Sequence, residues 1–253
     1  MIDFHTHIIP KIDDGSGSEE ETNSLLLEAK EAGFTKIIST SHYYINRFEI
    51  EESERRAKLT KIEENFKSKN KTDLELLLGS EIYITSNIVD LLKEGKASTI
   101  NNTKYVLFEL PFNHKVFNLN DVIFSLLENN YKPIIAHPER YEMVQENPNM
   151  LIDLIDMGVL FQSNYASIIG AYGIEAKKTI KKLLKNDMIH FLGSDVHKKQ
   201  TIYPRMQEML KKIEKITGEE RLKDLTTLNA EQILRNEDFE AYNPTKIKTF
   251  FSF

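Results

Sequence analysis

The chain has 253 residues, 40% of them hydrophobic, with a formal net charge of −6 at pH 7. That length can bury a large core, and the acidic balance speaks against general nucleic-acid binding, which needs a basic face. Cysteine is absent, which excludes disulfides, thiolate zinc sites and a cysteine nucleophile, so any metal must be held by nitrogen and oxygen. No run approaches the roughly 18 consecutive apolar residues of a membrane span. No charged-then-apolar leader precedes the first strand either, so a cytoplasmic protein without membrane insertion is expected.

In chain order, the first strand is expected at 2–5 and runs into His5-Thr6-His7, followed by Asp13-Asp14-Gly15. Residues i and i+2 of a strand share a face, so His5 and His7 present two imidazoles side by side, a divalent-metal chelate. A helix follows at 18–32, with Glu19, Glu20 and Glu21 in its first turn and Gly33 just past its end, matching the helix dipole and a left-handed cap. Further strands are expected at 36–40, 74–84, 105–110, 133–137, 159–163 and 189–194, and helices at 51–67, 86–93, 119–128, 149–157, 172–185 and 204–216. Two short helices at 219–226 and 230–235 follow, with Asn229 as a candidate N-cap between them. The apolar 250–253 tail is expected against the floor of the fold.

Strand–helix alternation implies parallel strands with helices outside. His7, His42, Glu81, Glu109, His137 and Asp195 fall at or just after the ends of six different strands. That distribution favours a barrel mouth over the single switch point of an open sheet. The expectation is an α/β fold, a distorted seven-stranded (β/α) TIM-like barrel, with 1–253 as one domain.

A carboxylate inside an apolar run is costly unless paired or metal-bound, which makes Glu81 and Glu109 informative. Phe191-Leu192-Gly193-Ser194-Asp195-Val196-His197 repeats the i, i+2 device as Asp-x-His. Together His5, His7, Asp14, His42, Glu81, Glu109, His137, Asp195 and His197 exceed the needs of one tetrahedral ion. They point to two or three metals sharing bridging carboxylates. A mixed nitrogen and oxygen set suits manganese, iron or zinc better than calcium; cobalt is also compatible. His114, in a loop, is expected in solvent, and His190 packed on the opposite strand face.

These segments, with Thr40-Ser41-His42, Gly79-Ser80-Glu81 and His137-Pro138-Glu139-Arg140, resemble the PHP (polymerase and histidinol phosphatase) superfamily. The match is to its bacterial branch of manganese-dependent protein-tyrosine phosphatases, which act with capsule and exopolysaccharide tyrosine kinases. It runs from the first strand to about Arg235. The resemblance implies a trinuclear centre. His5, His7 and Asp195 would hold one ion and share Glu81 with a second on Glu109 and His137; Asp14, His42 and His197 would hold the third. Arg140 would bind the substrate phosphate, and Asp195 and His197 would lie nearest the chemistry. The branch often carries another arginine shortly after Asp-x-His; Arg205 comes later than that position, and a lysine is the alternative.

The implied reaction is metal-hydroxide attack on a phosphotyrosine ester without a covalent enzyme intermediate. The partner implied is a phosphotyrosine protein, a cognate bacterial tyrosine kinase. Other readings are a small phosphomonoester such as histidinol phosphate, a nucleotide end, a hydrolase of the amidohydrolase or TatD-like type, or a non-catalytic metal-binding or kinase-docking module. Tyr43, Phe112, Tyr165 and Tyr203 are candidate ring contacts, for which packing is the simpler role.

Overall fold

The computed structural model describes residues 1–114 and 116–248. The strands are β1 (Ile2–Thr6), β2 (Lys36–Ser39), β3 (His42–Tyr43), β4 (Glu75–Leu78), β5 (Glu81–Tyr83), β6 (Tyr105–Glu109), β7 (Lys132–Ala136), β8 (Leu160–Asn164) and β9 (Phe191–Gly193). All pairings between them are parallel, in a three-stranded sheet β1-β2-β4 and a curled six-stranded sheet β3-β5-β6-β7-β8-β9. The strand expected at 74–84 is interrupted, its halves β4 and β5 joining different sheets, and the one expected at 36–40 ends at Ser39, with the separate β3 just beyond it joining the other sheet. The chain bends at Gly79-Ser80, where an added Cβ on Gly79 would lie 2.9 Å from Ile100. The buried Arg55 satisfies polar groups at the bend, donating to Gly79 O (3.2 Å) and Ser80 Oγ, and ties them to the segment after Lys93 through Lys96 O (3.1 Å) and Ser98 Oγ (3.0 Å). A break in a ladder is tolerated only when such groups find partners.

Backbone bonds cross between the sheets at these breaks, Glu81 N donating to Thr40 O at 2.9 Å and Thr40 N to Thr6 O at 2.8 Å. Beyond β9, Asp195 N donates to His5 O (2.8 Å) and His7 N to Val196 O (3.0 Å). The last strand is thereby tied to the first.

Helix α1 (Glu19–Glu31) begins as expected, its first turn capped by Ser18 Oγ, which accepts from Glu21 N at 3.2 Å. The other longer helices are α2 (Glu52–Asn70), α3 (Ile88–Lys93), α4 (Leu119–Glu128), α5 (Glu142–Glu146), α6 (Met150–Asp156), α7 (Ile174–Lys185) and α8 (Met206–Thr217); α5 was not expected. They bury the outer faces of the strands in one apolar layer that includes Leu25, Leu59, Val122, Leu151, Ile180 and Met209. Inside the strands a second core gathers Ile2, Phe4, Ile38, Leu107, Ile134, Leu160 and Phe191, Phe4 stacking on Phe191 at 4.4 Å.

Asn229 is no N-cap. The helix α9 (Glu219–Lys223) continues through a wide turn, Asp224–Leu228, into α10 (Asn229–Leu234), and Asn229 has helical angles (φ −62°, ψ −44°). Its amide instead donates to His190 O at 2.7 Å, fixing α10 under the inner core. Ala230, Ile233 and Phe239 close that floor, the place expected for 250–253, which lie outside the described residues.

Candidate metal centre

The C-terminal ends of the parallel strands converge on one set of histidines and carboxylates. His5 and His7 are both buried, with their Nε2 atoms 3.1 Å apart. On the far side of each ring Nδ1 meets an acceptor at 2.8 Å, Gln162 Oε1 for His5 and Asp13 Oδ2 for His7. Those acceptors place each proton on Nδ1 and leave two Nε2 lone pairs facing one another, an arrangement that a shared or neighbouring cation resolves. Two glycines permit it. A Cβ on Gly15 would stand 2.3 Å from His7 O, and one on Gly193 2.5 Å from His5 Cβ.

Glu81 is the hub. Its Oε1 takes the His137 Nε2 bond at 2.7 Å, while Oε2 lies 3.2 Å from His5 Nε2, 3.3 Å from His7 Nε2 and 3.1 Å from His42 Nδ1. Oε2 is buried and accepts no hydrogen bond from any described residue, and His137 Nδ1 is likewise unpartnered. A buried carboxylate oxygen ringed by nitrogens without a bond suits metal coordination. Three sets of ligand atoms lie close enough to hold an ion: His7, Asp14, His42 and His197; His5, His7, Glu81 and Asp195; and His42, Glu81 and Glu109. His137 adds to the last through Glu81 and stands 3.9 Å from Glu109.

The electrostatics are those of a site built for cations. Burial first, then repulsion from Glu81 and Asp195, pushes the Glu109 carboxyl up to about 9. Burial pulls His42 down to about 4. Burial opposes charge on Asp195 too, yet His5, His7 and His197 hold it well below the usual carboxylate range. Carboxylates crowded this closely need positive charge among them, and the nitrogen and oxygen donor set fits a first-row divalent ion.

Arg140 faces Asp195, Nη1 to Oδ2 at 2.9 Å, with its guanidinium between the Phe112 and Tyr172 rings at 4.4 Å from each. Stacking on both faces fixes the fork in one plane. Its neighbour Glu139, fully buried, accepts from Ser163 Oγ (2.7 Å), Asn164 N (3.0 Å) and Ser167 Oγ (2.6 Å). Asn164 Nδ2 in turn donates to Asp195 Oδ2 at 2.7 Å. His137 (φ 32°) and Asp195 (φ 53°) both take left-handed backbone angles, a strain typical of residues aimed into a site.

The structure thus brings together His5, His7, Asp14, His42, Glu81, Glu109, His137, Arg140, Asp195 and His197. It does not bring Arg205, which is exposed and paired with Glu208 at 2.8 Å. His114 is exposed at the cavity mouth, and His190 is buried, its Nδ1 accepting from Phe161 N at 3.0 Å. Among the aromatics Phe112 lines the mouth, whereas Tyr43, Tyr165 and Tyr203 are packed in the core. Sequence reasoning missed Asp13, Gln162 and Asn164. Asp13 orients His7 and also accepts from the Gly15 and His42 amides, both at 2.9 Å; its signal was the doubled aspartate. Gln162 and Asn164 end β8, the strand assigned no site residue, and their signal was the polar Gln162-Ser163-Asn164 closing an apolar run.

A curled parallel sheet whose strand ends meet in histidines and carboxylates defines a metal-dependent α/β enzyme. The family model for capsular polysaccharide synthesis, CpsB/CapC, matches residues 1–235, and the chain belongs to that family. It is 33% identical over 248 residues to the tyrosine-protein phosphatase YwqE of Bacillus subtilis (strain 168), covering 98% of this chain and 97% of YwqE. Crystal structures of YwqE from Bacillus subtilis and CpsB from Streptococcus pneumoniae are described as unique metal-dependent tyrosine phosphatases. The match to one of those chains has a TM-score of 0.90 at 32% identity, over 98% of this chain and 100% of that one. A histidinol phosphate phosphatase from Lactococcus lactis, solved with zinc, histidinol and phosphate, shares the fold at a TM-score of 0.54 and 15% identity, over 85% and 94% of the two chains.

Proposed function

We propose that this chain is a metal-dependent protein-tyrosine phosphatase, with manganese as its resident ion. Its substrate in this reading is a bacterial tyrosine kinase of capsule or exopolysaccharide synthesis, met in the cytoplasm. Among the described residues no helix is long and apolar enough to cross a membrane. We take residues 1–253 as one domain and the two sheets as a single distorted seven-stranded barrel; the backbone bonds from Glu81 to Thr40 and from Asp195 to His5 support that reading.

The observation that carries the activity is the pair of Nε2 atoms on His5 and His7, 3.1 Å apart beside a Glu81 Oε2 that accepts no hydrogen bond from any described residue. His5, His7 and Asp195 would hold one ion and share Glu81 with a second on Glu109 and His137; Asp14, His42 and His197 would hold a third. Bound divalent ions bring the pKa of coordinated water towards about 7 and neutralise phosphoryl oxygens. The chain's own residues do the rest. Asp13 and Gln162 keep His7 and His5 in the tautomer that offers Nε2 inwards. Arg140, locked between two rings, offers its fork to two phosphate oxygens. Among the described residues lining the cavity there is no serine, threonine or cysteine, and in this reading Asp14, His42, His137, Asp195 and His197 are engaged as ligands rather than free as nucleophiles, which favours direct transfer of the phosphoryl group to water.

The stereochemical course at phosphorus, followed with an oxygen-isotope-labelled chiral phosphotyrosine ester, tests this: inversion is expected, and retention or a trapped phosphoenzyme would refute direct transfer. Metal content and activity should both fall in Asp195→Ala, and dialysis against a chelator should abolish activity until manganese is restored. Equal metal and activity in wild type and Asp195→Ala would overturn the assigned site.

A further inference from the structure

The mouth of the site carries a second guanidinium, Arg47, that neither the ligand set nor Arg140 uses. It lies on a tight hairpin that follows His42: Tyr44 N donates to Phe48 O (2.9 Å), and Phe48 N and Arg47 N both donate to Tyr44 O (2.8 and 2.9 Å). Asn46 takes the left-handed angle the turn requires (φ 65°), and Glu49 is occupied by the Asn46 amide at 2.5 Å. Among the described residues Arg47 has no ion pair. Its guanidinium carbon lies 4.8 Å from the Phe48 ring and 6.0 Å from that of Tyr44.

Those rings connect it to the centre. Phe48 stacks on His42 with 5.8 Å between centroids and 12° between planes, and Tyr44 stacks on Tyr83 at 4.2 Å and 10°. All line one cavity of about 430 Å³ together with His42, His137, Arg140 and Asp195. Arg140 is the inner cation, mostly buried and paired to Asp195. Arg47 is the outer one, exposed at the rim.

Distance from the metal ligands decides what each cation meets. A phosphotyrosine places its phosphate deepest, its ring along the aromatic wall and its backbone at the rim. The residues beside the phosphotyrosine therefore pass Arg47. We propose that Arg47, seated on Tyr44 and Phe48, selects phosphotyrosine segments that carry an aspartate or glutamate next to the modified tyrosine. This specificity rests on the phosphatase reading above.

The test compares kcat/KM for two phosphotyrosine peptides identical except for glutamate or lysine flanks, using manganese-loaded wild type, Arg47→Ala and Arg47→Glu. An exposed ion pair is worth only a few-fold, so wild type should prefer the acidic peptide by about three- to fivefold, less at high salt. The ratio should fall to about one in Arg47→Ala and invert in Arg47→Glu. A wild-type ratio of one or below, or a ratio that Arg47→Glu leaves unchanged, overturns the assignment of Arg47 while leaving the phosphatase reading intact. Hydrolysis of neither peptide by wild type overturns the phosphatase reading, and the subsite with it.

Discussion

Replacing Gln162 by leucine probes how far the centre depends on groups that touch no metal. The side chain is fully buried and its Oε1 accepts from His5 Nδ1 at 2.8 Å. Leucine is close in volume, so the losses are the acceptor for His5 and the Gln162 Nε2 donation to Asn164 Oδ1 at 3.1 Å. The His5 N–H is then left buried without a partner, which costs about 1–3 kcal/mol. If the proton moves to Nε2 instead, the lone pair that faces the centre disappears. Either route weakens ligation, and losses of such outer partners typically reduce metal affinity about 10–100-fold, equivalent to about 1.4–2.8 kcal/mol, in line with the first figure. Calorimetric titration of the metal-free protein with manganese reads this directly, and thermal melts of both apo proteins separate any effect on folding. A Gln162→Leu protein that binds manganese within threefold of wild type would refute the reasoning.

Two further outcomes follow from the same geometry. Gly15→Ala places a methyl group 2.3 Å from His7 O, and the forced shift should cost about 1–3 kcal/mol; a melting temperature and manganese content equal to wild type would contradict it. For pH, burial with Arg221 nearby holds the His190 imidazole at about 3, whereas an unfolded histidine titrates near 6.5. The unfolded chain therefore binds the extra proton, and the contribution of His190 is complete above pH 6.5 and lost as pH falls towards 3. About 2 kcal/mol should go by pH 5, measured by urea unfolding of metal-free protein, and His190→Asn should flatten that slope. An unchanged slope would show that His190 is not the group responsible.

The ligand set was legible because its chemistry is written locally. Histidine and carboxylate inside or just after apolar runs are expensive unless bound, and His5-Thr6-His7 and Asp195-Val196-His197 use the two-residue strand period. Asp13, Gln162 and Asn164 were not legible. Amides and a second aspartate are common at strand ends, and their role appears only when Gln162 is found 2.8 Å from a histidine 157 residues away. Arg205 shows the converse: the sequence offered an arginine near the right place, but the fold leaves it exposed at the start of α8, paired with Glu208 one helical turn away, while Arg47 reaches the mouth from a hairpin that no periodicity announced.

The amino-acid sequence alone determined the strand–helix alternation, the sulfur-free donor set and the family motifs, since each depends on residue type and short-range spacing. Tertiary structure decided where the sheet breaks, because Gly79 and the buried Arg55 act across chain segments. It also decided which nitrogen each histidine offers and which cation guards the rim. Those are properties of distance and burial, and only the folded chain sets them.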